Sequence, residues 1–448
     1  RGGKGKVVSV APGHYIEPSF STDGELITYR KVTGGYLLDP KYSNEPGIYV
    51  LNLDEKTTER VNNGGIEPHF SGDNSRVYFT ESACSAYPET RFSSVDINGE
   101  DKRVHLNGGD NVSEYRLSPN NKWVAFVYQY NTFVAPFETN GKTFTLGPKI
   151  TALPVKQLSA RAGSYMTWRN NNNTVGWSHA ATYYERSLDE AFDFIAGADI
   201  ENMPEPVNEG INVSFKQKTD SSDKLTVIVG GTVVTMRDAN NQQEVIQDAV
   251  VIVEGNRIKA VGKRADINVP DDALVIDATG KTIIPGLVDA HAHGSQGSYE
   301  IIPEQNWSQY SNLAFGVTTI HDPSNDTSEI MAAAEMQRAG MRVGPRIYST
   351  GTILYGAEAL GFKAIIKDYD DAYFHVQRLQ DVGAISVKSY NQPRRDQRQQ
   401  VLVAADKLGM MVVPEGGGKF QQNISMLVDG HTGLEHSIPI ARGYSDLT

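Results

Sequence analysis

Four short segments in the first 180 residues share one alternation of polar and apolar positions. They read EPSFS (17–21), EPHFS (67–71), EYRLS (114–118) and YMTWR (165–169), spaced 50, 47 and 51 residues apart. A turn-forming stretch rich in Asp, Asn or Gly follows each segment, and then an apolar strand (LITYR, RVYFT, WVAFVY, TVGWSH). Alternating strands joined by such turns, repeated about every 50 residues, are typical of four-stranded propeller blades.

The Ser-x-Asp-Gly turn after a Pro-x-Phe strand, at Ser21 to Gly24, resembles the blade repeat of TolB-type β-propellers. We therefore predict that residues 1–185 form part of a TolB-like β-propeller, with four blades and earlier blades preceding Arg1. The alternative is a β-sandwich in which similar turns recur by coincidence.

A different β-pattern follows a polar segment. Residues 186–222, with Pro204, Pro206 and a Lys- and Asp-rich stretch, are predicted to be a linker. Residues 223–285 contain three apolar strand patterns, LTVIVGGTVVTM, QDAVVIVEGNRIKAVGK and ALVIDATGKTII, and a hairpin turn is predicted at Glu254 to Arg257. This range is predicted to be a second all-β domain.

The last 160 residues alternate strands and helices. Apolar strands are predicted at 287–293, 317–322, 345–350, 385–390, 410–415 and 433–437, and helices at 328–337 and 395–408. Repeated βα units indicate a parallel sheet, and we predict that 286–448 form an incomplete α/β TIM-type barrel with six of its eight units. The two missing units would follow Thr448. An open doubly wound sheet of six strands is the alternative.

Two histidines come at the end of the first predicted barrel strand, in the stretch IIPGLVDAHAHG. His291 and His293 are two residues apart, so on an extended segment they point to the same face as Asp289. Two imidazoles on one face can bind one divalent metal, although His pairs also occur on surfaces by chance. Their place at the carboxyl end of a barrel strand, where barrel active sites are built, favours a metal site.

The string PGLVDAHAHG closely resembles the P-G-x-[IV]-D-x-H-x-H signature of the amidohydrolase superfamily, and FGVTTIHDP resembles the second strand of that family. The hairpin GNRI and the strand DATGK resemble its small β-sandwich. The resemblance covers residues 225–448. With TolB-like blades before it, the domain order is similar to bacterial propeller-plus-amidohydrolase proteins with imidazolonepropionase- or prolidase-like barrels.

The resemblance implies roles for particular residues. His291 and His293 would hold a first metal ion, and Lys388 in ISVKSY stands where many relatives carry a carboxylated Lys that bridges two metals. The alternation places Ser386, Lys388 and Tyr390 on one inward face, and Tyr390 is a candidate for orienting substrate. The alternative for Lys388 is a solvated surface side chain.

Two further ligands are expected in later strands. His436 in TGLEHSI matches the ligand of the sixth strand, the alternative being a buried structural His. The fifth strand departs from the pattern, because MMVVPEGGG has Pro414 or Glu415 where relatives with two metals have His. Glu415 offers an oxygen ligand that zinc accepts, and without it the second metal would be weak or absent.

These residues lead to a predicted function: hydrolysis of a non-peptide C–N bond, an amide or cyclic amide, or of a small peptide-like amide. One or two divalent metal ions, most commonly Zn²⁺ in such sites, would activate water. The family base is an Asp of the eighth strand, which the chain does not contain, so the catalytic residue is unknown and the fragment is expected to be slow or inactive. The alternative is a propeller that binds proteins or peptides beside a degenerate barrel. In a third reading, the propeller restricts access so that only small substrates enter.

Composition and charge argue against several other classes of protein. The chain has 448 residues, suggesting about three domains at roughly 150 residues each. Its net charge of -12, with no basic stripe, argues against nucleic acid, and no apolar stretch is long enough to span a membrane. The lone Cys84 excludes an intramolecular disulfide. No signal segment is recognisable from Arg1 onward. The resemblance alone favours a periplasmic or extracellular location. A homo-oligomer is compatible with the sequence. His321 and Asp322, at the end of the second strand, are expected to be structural, the alternative being that they line the pocket. His431 is expected to face solvent.

Overall fold

The structure is a computed structural model of the chain. It describes residues 4–9, 13–32, 45–83, 89–109, 112–170, 172–220, 222, 224–237, 244–355, 363–392 and 394–436. Two compact units are present: unit 1 comprises Arg1–Phe215, Gly297–Ile301 and Thr352–Thr448, and unit 2 comprises Lys216–Gln296 and Ile302–Gly351. None of the described helices is long and apolar enough to cross a bilayer. Cys84 lies outside the described residues.

Four mainly antiparallel sheets form the first part of unit 1. The first contains β1 (His14–Phe20), β2 (Leu26–Val32), β3 (Gly47–Asn52) and β4 (Thr58–Asn62). The second contains β5 (Ile66–Phe70), β6 (Arg76–Ala83), β7 (Glu89–Asp96), β8 (Arg103–Gly109) and, in parallel on its edge, β12 (Phe144–Thr145). The third contains β9 (Val112–Leu117), β10 (Trp123–Tyr128), β11 (Asn131–Pro136) and β13 (Lys156–Gln157). The fourth contains β14 (Ser164–Arg169), β15 (Thr174–His179), β16 (Thr182–Ser187) and β17 (Ile211–Asn212).

The repeated turns connect neighbouring sheets as well as neighbouring strands. In the first turn Ser21 Oγ donates to Asp23 Oδ1, and the same bond recurs between Ser71 and Asp73. Gly72 N donates to Asn121 Oδ1 across 3.0 Å, from the second sheet to the third. A Cβ on Gly72 would lie 1.6 Å from the carbonyl oxygen of Pro119, so this close approach requires glycine. The repeat therefore fixes the spacing between sheets.

Apolar side chains fill the space between these sheets. One cluster joins the second and third sheets around Phe92, Tyr115 and Phe126, none of which is exposed. Another joins the third and fourth around Trp177 and Phe192, also fully buried. Burial of aromatic side chains of this size is the main driving force for association of the sheets.

The rest of unit 1 consists of short parallel pairs and helices. Strand β26 (Ile353–Tyr355) pairs with β27 (Lys363–Ile365), and β28 (Ser386–Tyr390) pairs with β29 (Met411–Pro414). The helices are α3 (Tyr369–Asp381), α4 (Arg395–Lys407) and α5 (Phe420–Asp429). Asp381 at the end of α3 accepts two bonds of 2.7 Å from Arg161, which follows the third sheet.

Unit 2 contains one larger sheet and a parallel group. The larger sheet has β18 (Leu225–Val234), β19 (Val245–Glu254), β20 (Arg257–Lys263), β21 (Leu274–Asp277) and β22 (Thr282–Ile283). The parallel group has β23 (Leu287–Asp289), β24 (Val317–Asp322) and β25 (Arg346–Ser349), with α1 (Trp307–Ala314) and α2 (Thr327–Arg338). Ile320, Ile330 and Ala333 form its buried core.

Several predicted elements can be compared directly with the observed ones. The hairpin at Glu254 to Arg257 is confirmed, and the helix predicted from 395 is α4. Helix α2 begins one residue earlier than predicted, and its N-cap is Asp326, whose side chain accepts a bond from Glu329 N. Residues 211–212 of the predicted linker form β17, and 225–283 contribute one described sheet where a sandwich was predicted.

The observed structure departs further from the prediction in the region of the predicted barrel. The described strands from 287 to 414 form three separate parallel groups, and no closed barrel is present among the described residues. Strands β26 and β27 were not predicted, because each has only three residues, too few for a periodic pattern. Residues 433–436 form no strand, and residue 437 lies outside the described range. Here Glu435 N donates to Pro414 O, but His436 has a φ of +65°, which ends the extended conformation.

Candidate functional site

The two predicted metal-binding histidines lie together in unit 2. Asp289, the last residue of β23, accepts a bond of 3.1 Å from His291 N and so shapes the loop that follows. The Nε2 atoms of His291 and His293 are 3.0 Å apart. Two nitrogen ligands on a tetrahedral zinc ion are about 3.3 Å apart, given Zn–N bonds near 2.05 Å. The separation is that of a hydrogen bond between the two rings, and a small shift to about 3.3 Å would let both nitrogens bind one ion.

Asp322 lies behind His293 and is 1% exposed. Its Oδ1 is 3.5 Å from Nδ1 of His293, a position that favours the proton on Nδ1 and leaves Nε2 as the ligand atom. Burial raises the pKa of the Asp322 carboxyl, while bonds from Asn325 Nδ2 and Ser324 N oppose the rise. From the sequence a structural role was preferred for Asp322, and its position at the end of a predicted strand was the signal for a place in the site.

The loop that carries the histidines is fastened to the end of β24. Ala292 N donates to the carbonyl of His321 across 3.0 Å. In the other direction, Nδ1 of His321 is 3.3 Å from the carbonyl of Ala290. These contacts hold the HxH segment in place and support the structural role expected for His321.

A second group of predicted site residues lies in unit 1, at the end of the β28–β29 pair. Lys388 is opposite Val413 and is only 1% exposed, and its Nζ contacts Glu415 Oε2. Glu415 Oε1 is 2.6 Å from Nε2 of His436. The structure thus brings Lys388, Glu415 and His436 together around one carboxylate.

Charge explains the protonation state of this carboxylate. Burial alone would raise the pKa of Glu415, but the contacts with Lys388 and His436 outweigh burial and lower the pKa below its usual value. Glu415 therefore carries a full negative charge at neutral pH. Both of its oxygens face potential cations or metal-ligand partners.

Tyr390, the candidate for orienting substrate, lies beside the lysine. Its ring centroid is 5.5 Å from Lys388 Nζ, within cation–π range, and the ring meets Tyr355 edge-on at 5.6 Å. A φ of +49° at Tyr390 turns the chain at the end of β28. Ser386, on the same strand face, is fully buried.

The expectation that His431 faces solvent is wrong. The side chain is 7% exposed, because Gly430 adopts a φ of +96° after α5 and turns the chain inward. Its Nδ1 is 2.9 Å from the carbonyl of Met426, and its Nε2 is 3.0 Å from Ser389 Oγ. Burial lowers the pKa of His431, so it is a neutral structural histidine that supports β28.

Known proteins resemble short stretches of this chain. No protein-family model matches the chain. An enamidase of Eubacterium barkeri is 38% identical over 78 residues, 17% of this chain and 20% of the enamidase. An imidazolonepropionase of Geobacillus sp. (strain WCH70) is 33% identical over 79 residues, 16% of this chain and 19% of that protein. The match thus spans about a fifth of the length of these curated relatives.

A solved structure of a Xaa-Pro dipeptidase with bound methionine in the active site is similar over 48% of this chain and 62% of that chain. Its sequence identity is 19% and its TM-score 0.40, a similarity that does not establish a shared fold. The sequence relatives, which include enamidase, imidazolonepropionase and dihydroorotase, are members of the amidohydrolase superfamily and act as hydrolases of C–N bonds.

Proposed function

We propose that the protein is a metal-dependent hydrolase of the amidohydrolase type that cleaves a C–N bond in a small molecule or short peptide-like amide. The observation that carries the proposal is the convergence of His291 Nε2 and His293 Nε2 at 3.0 Å, with the buried Asp322 behind His293. The names of the sequence relatives support the reaction class, and the substrate is part of the proposal.

Each residue has a task in this proposal. His291 and His293 present Nε2 to a divalent ion, and Asp322 keeps the proton of His293 on Nδ1. Glu415 and His436 offer an oxygen and a nitrogen ligand, and Lys388, in its carboxylated form, is a third. Tyr390 orients the substrate. A bound zinc ion supplies Lewis-acid polarisation and a water whose pKa falls to about 7.

The proposal includes a fold for each part of the chain. The four sheets of unit 1 are taken to be blades of a TolB-like β-propeller, and the βα segments from 286 onward to belong to a TIM-type barrel. In such barrels the catalytic groups stand at the carboxyl ends of strands. His291 lies just after β23, and Lys388 lies in the carboxyl-terminal part of β28.

The test is a metal analysis by mass spectrometry of the full chain, purified without chelator. We expect about one or two equivalents of zinc or another transition metal in the wild type, since zinc sites are built from three or four protein ligands. The His291→Asn/His293→Asn variant should lose at least one equivalent. His14→Asn, which alters a histidine of β1, is the matched control and should keep the full complement.

Circular dichroism must show that all three proteins fold. A folded wild type without metal, or a double variant that keeps all its metal, would contradict the proposed role of the histidine pair. Activity on amides and cyclic C–N substrates is measured afterwards on metal-loaded protein.

A second candidate function rests on the contacts of Glu415. Lys388 and His436 already engage its two oxygens, so this group also forms a closed ion-pair network. In that case the barrel is a non-catalytic scaffold, and the four sheets bind a protein or peptide. A folded wild type that binds no metal favours this candidate.

A further inference from the structure

A cavity of about 950 Å³ opens among the first strands of the four sheets of unit 1. Four carboxylates line it: Glu17 on β1, Glu67 on β5, Glu114 on β9, and Glu300 from the segment Gly297–Ile301 of the same unit. We call it the glutamate cavity. None of the residues that line this cavity was named above as a candidate metal ligand.

The sequence repeat accounts for the convergence of these side chains. Glu17, Glu67 and Glu114 occupy the same position in three successive repeats, and Tyr165 occupies it in the fourth. At Glu17, Glu67 and Tyr165 the strand pairing shifts register, and the residue has a φ of +54°, +54° and +57° respectively. A repeated left-handed residue in a bulge is strained, and such strain clusters at functional positions.

Two of the carboxylates are held by the backbone of the next sheet. Glu17 Oε2 accepts a bond of 2.6 Å from Glu67 N, and Glu17 Oε1 pairs with Arg30 at 2.8 Å. Glu114 accepts bonds from Tyr165 N and Met166 N at 3.0 and 2.8 Å. These two side chains therefore have a structural task that consumes their oxygens.

Glu67 differs from both. Its side chain lines the cavity, and its Oε2 is buried, yet no donor among the described residues bonds to that oxygen. An unbonded buried carboxylate oxygen loses the free energy of hydration without replacement. Burial raises the pKa of Glu67 well above its usual range, and the nearby Glu114 carboxylate adds to the rise.

The remaining lining combines one cation with aromatic rings. Arg116 is the guanidinium of the described lining, against four carboxylates. Tyr165, Trp168 and Tyr299 contribute ring surface, and Arg30 already packs over Tyr299 at 4.9 Å. Carboxylates beside aromatic rings are the surroundings that attract an organic cation.

We propose that the glutamate cavity binds a protonated organic amine, with Glu67 as the carboxylate that accepts its ammonium group and the rings of Trp168 and Tyr299 against its apolar body. The ammonium donates to the Glu67 oxygen that no donor among the described residues bonds, and its positive charge favours the ionised form of that carboxylate. A cavity of about 950 Å³ accommodates an amine with an aromatic or peptide-like body.

The test is calorimetric titration of the full chain, treated with chelator, with 4-phenylbutylamine and with its neutral analogue 4-phenylbutanol. We expect the amine to bind at least about tenfold more tightly than the alcohol, the difference made by a charge-assisted hydrogen bond. Glu67→Gln should weaken amine binding by about tenfold and leave alcohol binding unchanged. Glu59→Gln, an exposed position on β4, is the matched control and should bind like the wild type.

Each outcome decides the proposal. Equal binding of amine and alcohol, or no binding of the amine, overturns it. A folded Glu67→Gln protein with unchanged amine affinity also overturns it, and if that variant does not fold, Glu67→Asn, which tolerates the left-handed backbone at this position, takes its place with the same expected loss. Saturable binding of Ca²⁺ together with no binding of amine would show that the cavity is a metal site and would overturn the amine class.

Discussion

Two mostly buried carboxylates of unit 1, Glu67 and Glu415, have pKa values shifted in opposite directions. Burial raises the pKa of Glu67 in the glutamate cavity well above the usual range. Burial also acts on Glu415, but the contacts with Lys388 and His436 lower its pKa below the usual range. At Glu415 the contacts with Lys388 and His436 outweigh burial, whereas at Glu67 burial prevails.

Glu114 shows that backbone hydrogen bonds, even with the Arg116 charge nearby, need not cancel the effect of burial. It accepts two backbone bonds, from Tyr165 N and Met166 N, and burial still raises its pKa. Backbone amides therefore reduce the cost of burial without cancelling it, whereas the ammonium of Lys388 reverses the shift. A buried glutamate without a cation is a position where a cationic ligand gains free energy.

The largest effect in this comparison should follow removal of the lysine. In metal-free protein, Lys388→Met leaves Glu415 charged and mostly buried beside His436. We expect the free energy of unfolding to fall by about 3–5 kcal/mol, as measured by urea unfolding.

Lys259→Met is the matched control, because Lys259 forms an ion pair with Glu254 in which both side chains are more than half exposed. Its cost should remain below about 1 kcal/mol. The double variant Lys388→Met/Glu415→Gln should recover part of the loss, since it removes the unpaired charge. Equal costs for Lys388→Met and Lys259→Met would show that burial of the Lys388 pair has no energetic consequence.

Glu67→Gln should raise the free energy of unfolding, by less than Lys388→Met lowers it. A folded-state pKa raised above the unfolded value means that the Glu67 contribution to stability is fully present below the ordinary pKa of glutamate. It is lost as the pH rises through the raised value. The variant escapes this loss and should be more stable than the wild type by about 1–3 kcal/mol at pH 8, with little difference near pH 4.

Thermal or urea unfolding between pH 4 and pH 8 measures this difference. Glu59→Gln, at an exposed position, should show no gain that grows with pH. A Glu67→Gln protein less stable than the wild type at pH 8 would mean that the Glu67 carboxylate has a stabilising cation in the free protein.

The sequence repeat predicted much of the first part of unit 1. Segments at 17, 67, 114 and 165 begin in the first strands of four sheets, because the Ser-x-Asp turn and the alternating strand are local signals. The glutamate cavity was missed, although the signal was present. Equivalent positions of successive repeats face one region, so a Glu repeated at that position predicts converging carboxylates.

The later part of the chain was less predictable from its sequence. Lys388, Glu415 and His436 were chosen by resemblance, and their contacts depend on the pairing of β28 with β29 and on the loop that returns His436 to Glu415. Such contacts between distant residues leave no local periodicity. His431 was misjudged for the same reason, because its burial follows from a turn at Gly430 and not from its polar neighbours.

The smallest effect concerns the turns that hold the sheets around the glutamate cavity. Asn121 Oδ1 accepts the bond from Gly72 N, and Asn121 has a φ of +58°, so Asn121→Gly removes the side chain without adding backbone strain. We expect a loss of about 1 kcal/mol in the free energy of unfolding. Asn121→Asp keeps the acceptor oxygen and should stay within about 0.5 kcal/mol of the wild type. If the Gly and Asp variants unfold at the same urea concentration, the bond between the sheets contributes nothing. The position of Glu67 relative to Glu114 would then depend on the apolar core alone.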